Sequence, residues 1–296
     1  MMKEKLLLLI NPVSGDGAAR LWLYDMVDIL SKRFSPVSVF LSRAAGEIAK
    51  TAMRHAKDYD AVICAGGDGT LSEMLDGIVK SGASPLLGYI PMGTINDFAT
   101  SHGISKNVKT ALKDLVAGKE KIYDLGVLND RAFSYVAAFG AFTDVAYQTA
   151  QDAKSSFGIL AYLTEAAKRL PKLMPIKMTY TVDGKSETDE FIYGMASNSK
   201  SVGGIKFFGT ADDEMLTDGL FEVTLVRFPR GADKLYNAIR GLLTPNLMCD
   251  EVIRIRASSV SFRFEEDTPW TVDGEFGGTF REVEAHVLPG RIRLIV

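Results

Sequence analysis

The sequence predicts an open parallel α/β domain over about residues 1–124, followed by a β-rich, sandwich-like domain over about 125–296. Three observations carry this. Up to about Tyr123, short apolar runs alternate with segments of helical period, the pattern of a parallel sheet covered by helices. Beyond Asp124 the chain becomes a succession of strand-like runs with two helical interruptions. Finally, 296 residues with 47% hydrophobic content suffice for two buried cores.

In the first half the strands are expected at 6–10, 37–41, 61–65 and 86–90, with crossover helices at about 18–31, 45–57 and 71–80. The run at 6–10 is shorter than the roughly 7 residues of a signal-peptide core and ends at Asn11-Pro12, so it reads as a strand. No other stretch approaches the ~18 consecutive apolar residues of a membrane span, and contact with lipid would be peripheral. In the second half strands are expected at 131–139, 176–182, 191–197, 220–226 and 253–257. A helix near 157–170 would align Ile159, Leu160, Leu163, Ala167 and Leu170 on one face, and another covers about 232–243. The final strand has room to return to the first domain.

Charge narrows the function classes. The 34 basic and 37 acidic residues leave a formal charge of −3, with no general electrostatic reason to bind nucleic acid. Cys64 and Cys249 both lie in apolar settings without a CxxC partner, which argues against a disulfide framework or a cysteine zinc site and fits a reducing cytoplasm. A homodimer is admissible, since dimers are the commonest closed assemblies.

In open α/β sheets ligands gather outside the carboxyl ends of the strands, so the residues following each apolar run are the informative ones. After the first run comes Asn11-Pro12-Val13-Ser14-Gly15. After the third comes Gly66-Gly67-Asp68-Gly69-Thr70, and after the fourth Pro91-Met92-Gly93-Thr94-Ile95-Asn96-Asp97-Phe98. Glycines let the backbone approach an anion closely, and the N–H groups of a helix start offer donors and a positive potential. One such turn could simply join a strand to a helix; three at one sheet edge point to phosphate. No GxxxxGK[ST] loop is present, so the lysine of that motif must be replaced, and a divalent metal is the natural substitute. Asp68 and Asp97 would repel phosphate unless a cation or a hydrogen-bond network intervened; helix capping is their plainer reading.

Taken with Asp218-Gly219-Leu220 and Val272-Asp273-Gly274-Glu275, these segments closely resemble the diacylglycerol-kinase catalytic family over nearly the whole chain. GGDGT alone is shared with NAD kinases. The resemblance implies an ATP-dependent lipid kinase whose nucleotide and lipid alcohol meet in a cleft between an α/β and a β-rich domain. It implies nucleotide-binding positions at Asn11, Pro12, Val13, Ser14, Gly15, Ser42, Gly66, Gly67, Asp68, Gly69, Thr70, Leu71, Ser72 and Thr94, with Asn96 and Asp97 in the adjoining motif. It also implies a general base at Glu275, and a structural Mg2+ site formed by Asp218 with the backbone oxygens of Met215 and Leu220. Ser42 stands where threonine is frequent and Ser72 where asparagine is common.

Asp273-Gly274-Glu275 makes chemical sense in its own right, because a carboxylate beside the acceptor can take the hydroxyl proton during phosphoryl transfer. Without the other motifs it would read as a plain β-turn. His55, His102 and His286 lack the context of a base, so an acidic base is the economical choice; Glu275 is the one the resemblance implies, with Asp273 beside it. The segment 166–175 mixes Lys168, Arg169 and Lys172 with Leu170, Leu173 and Met174; it could rest on an anionic membrane, although a helix end stopped by Pro171 explains it better. Lys154 is a further candidate for a phosphate contact. The alternatives are an NAD kinase-like enzyme, which does not account for Pro91-x-Gly93-Thr94-x-Asn96-Asp97, a kinase for another lipid alcohol, and a non-catalytic nucleotide-binding regulator, which would be expected to lack Glu275.

Overall fold

The computed structural model describes residues 3–15, 17–141, 174–199, 213–244 and 247–296. The helix expected near 157–170, Lys154 and nearly all of 166–175 lie outside them. The chain forms two compact units. One comprises Met1–Leu125, Ala132–Ser134 and Leu288–Val296, and the other Gly126–Arg131 and Tyr135–Val287.

The first unit is a parallel sheet of β1 (Glu4–Ile10), β2 (Phe34–Leu41), β3 (Ala61–Gly66) and β4 (Leu86–Pro91), joined by the end of the last strand, β13 (Glu275–Ile295). The spatial order is β13-β4-β3-β1-β2. Leu294 pairs in parallel with Leu87, Leu6 with both Val37 and Ala61, and Val62 with Leu87. β3 and β4 are buried along their whole length and β1 from Leu6 onward, as near-continuous apolar runs demand when helices cover both faces of a sheet. Leu6, Leu8, Ile10, Ile63, Ala65 and Ile90 pack with Met26 and Leu30 of α2 (Leu23–Leu30) and with Leu112 and Leu115 of α6 (Val108–Ala117). The helix expected at 18–31 is divided at Trp22 into α1 (Ala18–Leu21) and α2. α3 (Glu47–His55), α4 (Asp68–Ser81) and the short α5 (Asp97–His102) complete the unit.

β2 and β3 flank β1 on opposite sides, so the chain leaves β1 one way and returns the other. The carboxyl ends of β1 and β3 therefore border a topological switch point, where the connections diverge and leave a crevice at the sheet edge.

The second unit is antiparallel, in the order β11 (Val252–Ala257), β10 (Phe221–Arg227), β9 (Lys185–Ser197), β7 (Val136–Gly140), β12 (Ser259–Val272), β13. β9 and β12 each pair with β8 (Ile176–Val182) along one stretch and with β7 along another, so the two long strands pass from layer to layer as in a sandwich. Phe139, Phe262, Phe264 and Trp270 fill the interior, with ring centroids 4.8–6.3 Å apart. Helix α7 (Ala232–Leu243) packs Ala238 and Leu242 on Val136, Ala138, Met195 and Val226. β5 (Glu120–Leu128) and the short β6 (Arg131–Phe133) complete the strands. Among the described residues no helix is long and apolar enough to cross a membrane.

Candidate active site

At the switch point the turn after β1 is tied to the turn after β3. The Asn11 N–H donates to Ala65 O at 3.0 Å and its side-chain amide to Thr70 Oγ1 at 3.3 Å, while its Oδ1 accepts from Val13 N at 3.2 Å. Ser42, following β2, donates its N–H to Ile10 O at 2.9 Å and lies beside the same strand end. Gly15 takes φ +61°, the left-handed region where a side chain would be strained.

The turn after β3 meets the turn after β4 backbone to backbone. Met92 N donates to Gly66 O at 2.7 Å, and a Cβ at Gly93 would stand 2.7 Å from Gly67 Cα. A Cβ at Gly66 would fall 2.3 Å from Thr70 Oγ1. Both positions exclude any side chain, which explains the glycines without recourse to a ligand and also leaves the backbone bare. α4 begins at Asp68, so Asp68, Gly69 and Thr70 form its first turn rather than a loop. Leu71 and Ser72 are buried within that helix, and the Leu71 N–H is engaged by Gly67 O at 3.1 Å.

The Asp68 carboxylate accepts the N–H groups of Asp97 and Phe98, at 3.1 and 3.4 Å, and so caps the start of α5. Its charge adds to burial in pushing the Cys64 thiol and the Tyr89 phenol above their ordinary values. Asn96, at φ +53°, closes the intervening loop: Oδ1 accepts from Gly93 N and Tyr89 OH, at 2.9 and 3.0 Å, and Nδ2 donates to Gly93 O at 2.7 Å. Asn96 and Asp97 are buried, whereas Thr94 is exposed at the tip. The structure thus gathers Asn11, Gly66, Gly67, Asp68, Thr70, Asn96 and Asp97 into one bonded edge.

In the second unit Asp273 and Gly274, at φ +48° and +81°, make a two-residue turn between β12 and β13. Positive φ at both positions is the type I′ geometry that Asp-Gly favours. Asp273 is 4% exposed, and its Oδ1 accepts from Tyr135 N and Val136 N at 3.0 and 3.2 Å. Glu275, the first residue of β13, is exposed, with Arg131 Nη2 at 3.9 Å from Oε2. Arg131 also donates to Phe276 O at 2.8 Å, so a cation is anchored beside that carboxylate.

Asp218 sits in a tight loop with Gly219 at φ +75°, and its Oδ1 accepts from Leu220 N at 2.9 Å. Its Oδ2 accepts from Arg256 Nη2, and Arg256 Nε is 3.3 Å from Glu222 Oε1. Burial pushes the Glu222 carboxyl up to about 7, against the opposing pull of Arg256 and helped by the charge of Asp218. Among the described residues no three His, Cys, Asp or Glu side chains cluster as a metal site. The Asp218 carboxylate is a hard oxygen donor of the kind magnesium takes, and both of its oxygens are engaged by N–H donors, Leu220 N and Arg256 Nη2. Arg131, Glu222 and Arg256 escape sequence reasoning because their partners are set by strand register. The one available signal was Glu222 itself, an acidic residue within the apolar run 220–226.

Residues 5–128 match the model of the diacylglycerol kinase catalytic domain, and 137–296 that of the YegS C-terminal NAD kinase beta sandwich-like domain. A diacylglycerol kinase of Staphylococcus aureus (strain USA300) is 31% identical over 294 residues, 97% of this chain and 92% of the relative. The chain belongs to the diacylglycerol kinase family. Another member, the diacylglycerol kinase of Bacillus subtilis (strain 168), is 29% identical over 92% of this chain and 89% of its own length. The crystal structure of a diacylglycerol kinase from Bacillus anthracis str. Sterne shares the fold, with a TM-score of 0.77 at 23% identity, covering 100% of this chain and 98% of that one. As a diacylglycerol kinase family member the chain is a lipid kinase, an enzyme that draws its phosphoryl group from a nucleotide.

Proposed function

We propose that this enzyme transfers the γ-phosphoryl group of ATP, with magnesium, to the free hydroxyl of diacylglycerol, giving phosphatidic acid. The single observation that carries the nucleotide part is the bonded edge at the switch point, where glycine backbones from two turns meet and leave no side chain in the way. Asn11, Thr70 and the Asp68–Asp97 connection hold that edge in shape. Magnesium accompanying ATP would supply charge compensation for the phosphates, and Asp218 would hold a structural ion of its own. Glu275 is the residue assigned to accept the hydroxyl proton, being exposed, fixed at a strand start and flanked by anchored Arg131. Asp273 belongs to the same turn and holds it to the backbone of Tyr135 and Val136.

Diacylglycerol is preferred because the relatives matched over most of the chain are named for it. A lipid acceptor implies that the enzyme works transiently at a membrane surface, on the cytoplasmic side where ATP is available. The test is incubation with labelled ATP and magnesium against diacylglycerol, phosphatidylglycerol, a sphingoid base and NAD. Labelled phosphatidic acid is the expected product. Labelled NADP would instead favour the soluble-nucleotide reading, and labelling of a different lipid would move the substrate within the same class.

A further inference from the structure

Arg256 stands between two unequal carboxylates. It lies on β11 directly opposite Glu222 of β10, so the two side chains share a face of the sheet. Its guanidinium reaches Asp218 Oδ2 through Nη2 and faces Glu222 Oε1 through Nε. The Glu222 side chain is 4% exposed and that of Asp218 24%. Glu222 Oε2 is buried without a hydrogen-bond partner. An acceptor left buried and unpaired is costly, so the arrangement holds a place for a donor that it does not yet use.

We propose that Arg256 competes with the divalent cation for Asp218, and that Glu222 receives the guanidinium when the cation takes that carboxylate. The proposal rests on the reading of Asp218 as a magnesium ligand. Magnesium takes a carboxylate oxygen at about 2.1 Å, and with Oδ1 already accepting from Leu220 N, Oδ2 is the oxygen for which it and the like-charged guanidinium contend. Arginine presents a planar fork of donors that matches both oxygens of one carboxylate. By moving from one oxygen of each acid to both oxygens of Glu222, Arg256 would keep its hydrogen bonds and satisfy Oε2. Glu222 thereby makes the exchange easy, and Arg256 sets how much magnesium is needed.

Magnesium alone is the probe, titrated into the full chain in mildly alkaline buffer at constant ionic strength and followed by calorimetry and by the shift in melting temperature. Wild type is compared with Asp218→Asn, Arg256→Gln, Glu222→Gln and the Arg256→Gln/Glu222→Gln double variant. Removing Arg256 should lower the half-saturating magnesium concentration by about two- to fivefold, the range for a partly exposed ion pair. Glu222→Gln, which strands the displaced guanidinium, should raise it by a similar factor, and that rise should vanish in the double variant. A Glu222→Gln effect that persists in the double variant would reduce both residues to simple field effects and overturn the exchange. A magnesium response lost in Asp218→Asn yet unmoved by Arg256→Gln would overturn the proposal alone. A response that survives Asp218→Asn would remove the underlying metal assignment and the proposal with it.

Discussion

Gly66 shows how one missing methyl group organises the nucleotide edge. A Cβ there would sit 2.3 Å from Thr70 Oγ1, so Gly66→Ala must push Thr70 aside and break its bond to Asn11. Loss of that tie should weaken nucleotide binding by about tenfold, the equivalent of one hydrogen bond, with the circular dichroism spectrum unchanged. A fluorescent ATP analogue reads this directly, and unaltered affinity in the folded variant would take Thr70 out of the site. At Asp273-Gly274-Glu275 two substitutions separate chemistry from positioning. Glu275→Gln keeps shape and removes basicity, and should lower turnover by about 10² or more while sparing ATP affinity and melting temperature. Asp273→Asn retains an acceptor oxygen for Tyr135 N and Val136 N and tolerates positive φ, so it should keep most of the activity, whereas Asp273→Ala should lose it. If Asp273→Asn were as inactive as Glu275→Gln, Asp273 would be part of the chemistry rather than its support.

Elements were legible in proportion to how far their burial is one-sided or complete. β1, β3 and β4 are continuous apolar runs and announce themselves, and the amphipathic α7 does so as well. α5 spans six residues, too few to display a helical period, so the capping read for Asp68 had no visible helix at 97–102 to act on. The run at 131–139 is two strands, β6 and β7, separated where Ser134 and Tyr135 turn and Asp273 captures the Tyr135 amide. β12 alternates cleanly at 259–264, but the acidic stretch 265–267 interrupts the pattern and hid the strand. The return of β13 to the first unit depends on side-chain partners remote in sequence. Arg293 donates from Nε and Nη2 to both oxygens of Glu120, at 2.8 and 2.9 Å, and from Nη1 to Ser84 O at 3.1 Å. These bonds hold the Glu120 carboxyl below its ordinary 4.5. A carboxyl whose pKa is lower folded than unfolded contributes stability that is present above about 4.5 and disappears as pH falls through the depressed value. Glu120→Gln should therefore flatten the acid limb of the stability curve and leave the alkaline limb alone. The pair is largely exposed, so the change should stay below about 1 kcal/mol in urea melts across that range.

At the scale of the whole molecule the chain builds its first unit from both ends, because residues 288–296 complete a sheet begun at Glu4. Ile292, Leu294 and Ile295 are each at most 2% exposed there, and Leu294 lies opposite Leu87 on the flank of β4. Without them β4 would become an unpaired edge beside an opened core. Leu294→Ala should cost about 2–5 kcal/mol, the range for a buried leucine whose cavity cannot fully close. The division into two compact units predicts where that loss will be felt. Amide exchange in β3 and β4 should accelerate, while amides of β9 and β10, drawn from the other unit, keep their protection. Equal acceleration in all four strands would instead mean that the units open as one cooperative body. Nucleotide affinity should fall in step with the protection of β3, since Gly66 closes that strand and carries the edge on which the phosphates are proposed to rest.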